Sequence, residues 1–208
     1  MMAPAHEGLV PVLEYLDLAG IAVFALSGAI VAAEKRQTLV TFLFFAVVTA
    51  VGGGTTRDLL IGAPVFWVET NITLVICFTA ALLVWLLPER WWGRTTLLWL
   101  DAAGLAAYAT FGVAKAMAYG VAPLPAFSLG VLTACFGGII RDVLAGQPSI
   151  LMRPELYVTA AALSAALMVG LLLIGMAQPL AGALAALAGF LLRGLAIRKG
   201  WSLPGYRD

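Results

Sequence analysis

Two short stretches place adjacent opposite charges deep in apolar sequence: "GGGTTRD" (Gly52 to Asp58) and "FGGIIRD" (Phe136 to Asp142). Each joins a glycine run to an Arg-Asp pair. Glycine in a helix interior costs ~1 kcal/mol relative to alanine. Gly52, Gly53 and Gly54, and again Gly137 and Gly138, therefore predict an interrupted helix. An interruption frees carbonyls, which suit a cation, and exposes the amide end of the next half-helix, which suits an anion. In lipid such groups must face protein or a water-filled cavity. Close helix packing is the other use of such glycines. Arg57, Asp58, Arg141 and Asp142 then line that cavity or tie down its walls. Neighbours on a helix project about 100° apart, so both members of a pair cannot follow one axis. Thr49 and Thr133 stand four residues before Gly53 and Gly137. Their hydroxyls could meet a passing ion or bond back to their own helix. Thr55-x-x-Asp58 reads as a capping box for the half-helix after the first interruption.

The elements that carry these residues follow from composition. The chain has 208 residues, of which 62% are hydrophobic and 11% charged, with a mean hydropathy of +1.01. Soluble domains carry about 25% charged residues, so lipid is the natural solvent here. A hydrocarbon core of ~30 Å takes about 20 helical residues to cross. Candidate spans fall at about 15–33, 38–61, 71–87, 97–118, 124–145, 156–175 and 178–197, separated by charged or Gly/Pro connectors. The reading is an all-α integral membrane protein of seven transmembrane helices, spans two and five kinked at their glycine motifs.

The chain also resembles itself. "DLAGIAVFALSG" (Asp17 to Gly28) matches "DAAGLAAYATFG" (Asp101 to Gly112), and "GGTTRDLLIGAP" (Gly53 to Pro64) matches "GGIIRDVLAGQP" (Gly137 to Pro148). Both pairs lie 84 residues apart. Three spans per unit is an odd number, so the second copy enters the membrane from the opposite side. The expectation is one membrane domain over 1–208. Repeat one covers about 15–87 and repeat two about 97–175, and a seventh span adds about 178–197. Inverted repeats place a binding or permeation site near the midplane, at broken helices. Ten of the twelve Lys and Arg residues fall on one side of this topology, which puts the N-terminus outside and the C-terminus in the cytoplasm. On the seventh span Gly182, Ala185, Ala186 and Gly189 form a small-residue face suited to packing or oligomerisation.

Several classes drop out. A net charge of +1 leaves no footprint for nucleic acid. Cys77 and Cys135 sit in apolar runs and read as buried thiols. The one histidine, His6, has no serine or metal-ligand partner pattern, and Gly52 to Gly54 lack the lysine of a phosphate-binding loop. No cofactor and no enzymatic activity are expected.

Two three-span units plus a seventh span, carrying "GGGTTRD" and "FGGIIRD" in spans two and five, resemble the prokaryotic branch of the trimeric intracellular cation (TRIC) channel family over about residues 10–198. The same domain is associated with bacterial proteins proposed to move glycine. The resemblance implies a homotrimer in a bacterial-type inner membrane, with one pore per subunit lined by spans two and five. That pore would pass monovalent cations, potassium before sodium. Thr49, Gly52, Gly53, Gly54, Arg57, Asp58, Thr133, Gly137, Gly138, Arg141 and Asp142 would form the pathway. A transient monovalent cation near Gly52, Gly53, Gly137 and Gly138 is the only metal implied, and membrane lipid the only other partner. The animal members' basic lipid-regulator site does not carry over, because "TTRDLLIG" offers only Arg57. A secondary transporter of a small amino acid such as glycine is the alternative, its arginines holding a substrate carboxylate.

Overall fold

A computed structural model describes residues 11–204; His6 and Arg207 lie outside the described residues. Among them are eight α-helices: α1 (Pro11–Glu34), α2 (Leu39–Leu60), α3 (Phe66–Glu69), α4 (Ile72–Leu86), α5 (Arg94–Ala118), α6 (Pro123–Leu144), α7 (Val158–Leu173) and α8 (Gln178–Lys199). Five of these are long and apolar enough to cross a membrane: α1, α2, α5, α6 and α8. The apolar α4 and α7 are shorter, at 15 and 16 residues. The protein is an all-helical, multi-pass membrane protein.

Local chemistry sets the helix ends. The Thr38 hydroxyl caps α2 by accepting from the Thr41 amide. Proline at the start of α6 and α8 begins each helix where an amide would have no partner. The turn after α5 needs a positive φ, and Gly120 supplies it at 79°. The residue 84 positions earlier, Arg36, closes the turn after α1 at 51°, a conformation that disfavours a side chain.

Packing assembles α1, α2 and α4 as one group and α5, α6 and α7 as another. The groups meet through α1 on α5 and α2 on α6, and α8 covers α5 and α7. The larger apolar core gathers Ile21, Phe24, Ile30, Leu105 and Tyr108 around the first contact. A smaller one joins Phe111 and Val113 to Met168, Ala181 and Ala185. The small face of α8, with Gly182, Ala185 and Gly189, is buried inside this chain.

Neither α2 nor α6 is interrupted. Both stay helical through Gly52 to Gly54 and through Gly137-Gly138. The predicted gap in the backbone is corrected to a close crossing. A Cβ on Gly53 would overlap the Thr133 carbonyl oxygen, and one on Gly137 would overlap the Thr49 carbonyl oxygen. Each glycine therefore admits the backbone of the other helix. Magnitudes explain the outcome. A glycine costs a helix ~1 kcal/mol, whereas each buried backbone group without a partner costs several in lipid. The capping box fails for the same reason: Thr55 lies mid-helix, and its hydroxyl donates to the Val51 carbonyl at 2.7 Å.

This crossing makes a direct prediction. Gly53→Ala and Gly137→Ala should each destabilise the purified protein by ~1–3 kcal/mol, the range for overpacking. Gly170→Ala is the control, because no atom lies within 4 Å of its Cβ position. Thermal unfolding in detergent should show both crossing variants melting well below the parent and the control melting at or slightly above it, since alanine favours the helix over glycine. Equal melting of all three would refute the close-approach role.

Candidate ion pathway and its buried charges

Arg57 and Arg141 sit in the last turns of α2 and α6, and both are almost fully buried, at 2% and 3% exposure. Each is held by the aspartate that follows it. Arg57 Nε donates to Asp58 Oδ1 at 2.9 Å, with Nη2 at 2.8 Å from the same oxygen. Arg141 Nε and Nη2 reach Asp142 Oδ1 at 3.0 and 2.9 Å. The second carboxylate oxygen faces the next connector. Asp58 Oδ2 accepts from the Phe66 amide at 3.1 Å, at the start of α3. Asp142 Oδ2 accepts from the Ile150 amide at 2.9 Å, at the start of a 3-10 turn. The Arg-Asp pairs are thus structural clamps, and each aspartate does two jobs.

Beyond this common frame the two sites diverge. Arg141 Nη1 reaches Asp101 Oδ1 at 2.7 Å and also donates to the Ser27 hydroxyl. Arg57 instead lies 5.0 Å from the centre of the Phe111 ring, and its Nη1 has no hydrogen-bond partner. Asp58 takes a second cation: Lys115 Nζ, on α5, lies 2.9 Å from Oδ1 and 6.0 Å from the Phe66 ring centre. One site joins two cations to one aspartate; the other joins one cation to two aspartates.

Between these sites lies the glycine crossing. The Thr133 hydroxyl bonds back to the Leu129 carbonyl at 2.6 Å, whereas Thr49 Oγ1 is buried without a partner. Gly52 faces the Ile140 side chain, Gly54 faces the Phe66 ring, and Gly138 faces the Tyr157 hydroxyl. A cleft opens toward Arg141, lined among others by Glu34, Arg94, Asp101, Asp142, Gln147 and Arg153.

Lys115, Asp101 and Ser27 were not singled out from sequence as partners. Lys115 carried a usable signal, being a lone cation inside an apolar span, which calls for a named counter-charge. Asp58 is 57 positions away, and no local spacing links them.

Fold and site together define a polytopic helical membrane protein whose charged side chains are buried beside two crossing helices. A family model described as "Glycine transporter" matches the chain twice, over residues 14–89 and 98–173. A UPF0126 membrane protein of Vibrio cholerae is 40% identical over 92% of this chain and 81% of its own length. The UPF0126 inner membrane protein YadS of Escherichia coli is 40% identical over 70% and 72%. The solved TRIC trimeric intracellular cation channel orthologue from Rhodobacter sphaeroides is 38% identical with a TM-score of 0.86, covering 92% of this chain and 100% of that one. A second TRIC cation channel structure is 30% identical with a TM-score of 0.82, covering 94% and 97%. The chain belongs to this TRIC-like glycine-transporter-domain family, and its structural relatives are channels, not enzymes.

The unequal charge sets predict unequal tolerance. Asp58→Asn leaves Arg57 and Lys115 buried without a carboxylate in contact, whereas Asp142→Asn leaves Arg141 paired to Asp101. Breaking a buried pair costs about 3–5 kcal/mol. Asp58→Asn should lose that much or fail to fold, and Asp142→Asn clearly less. Folded yield and thermal midpoint in detergent measure the difference, and the reverse ranking would contradict the pairing.

Proposed function

We propose that this chain is a potassium-permeable monovalent cation channel. It acts as a homotrimer with one pore per subunit, set in a bacterial-type inner membrane. Each subunit contributes seven spans as one membrane domain: inverted repeats over about 15–87 and 97–175, then α8 over about 178–197. The N-terminus is outside and the C-terminus cytoplasmic. The pathway runs along α2 and α6, past Thr49, Gly52, Gly53 and Gly54 on one helix and Thr133, Gly137 and Gly138 on the other. Arg57 with Asp58 stands at the outer mouth, and Arg141 with Asp142 at the inner one. The observation that carries this reading is the charged cleft ending at Arg141, on a fold shared with cation channels at 38% identity.

Physically, the paired aspartates neutralise the arginines and leave a pathway whose potential is set by small local imbalances. Closure of the backbone at the crossing makes the pore narrow there. Rotation or parting of α2 and α6 would open it, because glycine faces have no side chains to disengage.

Recording from purified protein in a planar bilayer with potassium chloride tests the reading. Discrete ohmic steps are expected. Silence together with saturable uptake of radiolabelled glycine would favour the small-amino-acid transporter instead. Arg141→Gln leaves surplus negative charge at the inner mouth and should favour outward current; Arg57→Gln should favour inward current. Surface potentials concentrate counter-ions, and rectification on the order of twofold, opposite in sign, is expected. Rectification of the same sign in both would place the arginines off the pathway. Cross-linking in mild detergent should end at three subunits, and a reporter fused after Asp208 should be active only in the cytoplasm. A clean monomer, or periplasmic activity, would overturn the corresponding claim.

A further inference from the structure

We propose that Arg193 of α8 is a positioning residue for the inner mouth: through Glu155 and Tyr157 it holds the α6–α7 connector beside Arg141. The inference rests on the channel reading above.

Arg193 is a charged residue in an apolar span, and it is only 2% exposed. A guanidinium at such depth needs a counter-charge and a reason to be there. Its counter-charge comes from the connector: Nη2 lies 2.5 Å from Glu155 Oε2. Its guanidinium also stands 5.5 Å from the centre of the Tyr157 ring. Tyr157 is buried at the start of α7 and reaches the second glycine motif. A Cβ on Gly138 would lie 2.9 Å from the Tyr157 hydroxyl oxygen and 3.7 Å from Arg141 Nη2. Arg193, Tyr157, Gly138 and Arg141 therefore form a continuous packed series.

The connector is fastened at both ends. The Ile150 amide binds Asp142, as described, and the segment beyond α8 adds backbone contacts. The Leu203 amide donates to the Pro154 carbonyl at 2.7 Å, and Glu155 bridges Ser202. Gln147, Ile150 and Arg153 of this connector line the cleft over Arg141. Whatever sets the connector's position sets the width of that cleft.

The matching connector at the other mouth is held differently. Glu155 and Tyr157 correspond, 84 residues earlier, to Asn71 and Thr73, which offer neither the charge nor the ring. That connector is tied instead by Trp67 Nε1 donating to the Thr55 hydroxyl at 2.9 Å. Leu151 and Ile139 stand at the corresponding places and cannot make this bond. Among the described residues, only the inner mouth is anchored by α8, the helix outside the repeats.

The test combines position and current. Spin labels on Arg94→Cys and Gln147→Cys span the cleft; the native cysteines are buried. In the parent the inter-label distance distribution should be narrow. Glu155→Ala and Arg193→Met should each broaden or shift it, and the double variant should go no further than the larger single effect. In the bilayer the same variants should change open probability about fivefold, a coupling of ~1 kcal/mol, with unitary conductance near the parent's. Glu155 is only partly buried, at 31% exposure, so Glu155→Ala keeps the test available if Arg193→Met does not fold. An unchanged distance distribution in folded protein overturns the inference, whatever the currents. A silent parent overturns the channel reading alone, because the distances still decide this one.

Discussion

A guanidinium enclosed by apolar helices has no route to neutrality through its own ionisation, since arginine stays protonated in proteins. It must be met by a carboxylate, and that requirement organises the C-terminal ends of both α2 and α6. The desolvation penalty of a buried ion amounts to several kcal/mol even after relaxation, comparable to the net stability of a whole domain. An aspartate adjacent in sequence meets the need at no cost in loop closure, because the helix already holds the two side chains together. Asp58 and Asp142 then have one oxygen left over. Each uses it to accept a backbone amide at the start of the following connector. The charge pair therefore also fixes where the chain turns back, and the path of each connector depends on it.

The glycine motifs show how far sequence reasoning reached. Hydropathy alone separated the long apolar segments, and the 84-residue offset located both charged motifs. The state of the helix at the glycines was not legible, because helix propensities come from water. In water a peptide group released from a helix finds a new partner; in lipid it does not. Gly52 to Gly54 thus remain helical, and the absence of side chains serves proximity. The reciprocal fit of Gly53 to Thr133 and Gly137 to Thr49 needed a partner helix to interpret. Nothing within either motif names that partner.

Sequence similarity between the two halves did not extend to their electrostatics, and single positions explain why. Ser27, which accepts from Arg141, is replaced 84 residues later by Phe111, over which Arg57 stacks. Lys115 corresponds to Val31, so one site gains a cation that the other lacks. Asp101 pairs with Arg141 through one oxygen, and both Asp101 Oδ2 and, at the matching place, Asp17 Oδ1 are buried without a hydrogen-bond partner. The electrostatic field around Arg57 therefore differs from that around Arg141. Long-range pairs such as Lys115 with Asp58 set that field, and they follow from packing, not from spacing.

The eighth helix carries the same lesson about what hydropathy measures. Its small residues and its leucines both recur at helical spacing, so either stripe could have faced lipid, this chain or a neighbouring subunit. The structure buries Ala181, Gly182, Ala185 and Gly189 against α5 and α7, and leaves Leu180, Leu184, Leu187, Leu191 and Leu195 exposed. In a bilayer apolarity cannot choose between these stripes, because lipid tails are as apolar as leucine. Size chooses: small residues let two backbones approach, and leucines fill the softer surroundings outside. Arg193 lies on the buried stripe, where the close approach of α7 brings Glu155 and Tyr157 within reach. A larger residue at Gly189 would meet Ser164 and the Ala160 carbonyl, and α8 could no longer lie near enough for its one buried charge to find a partner.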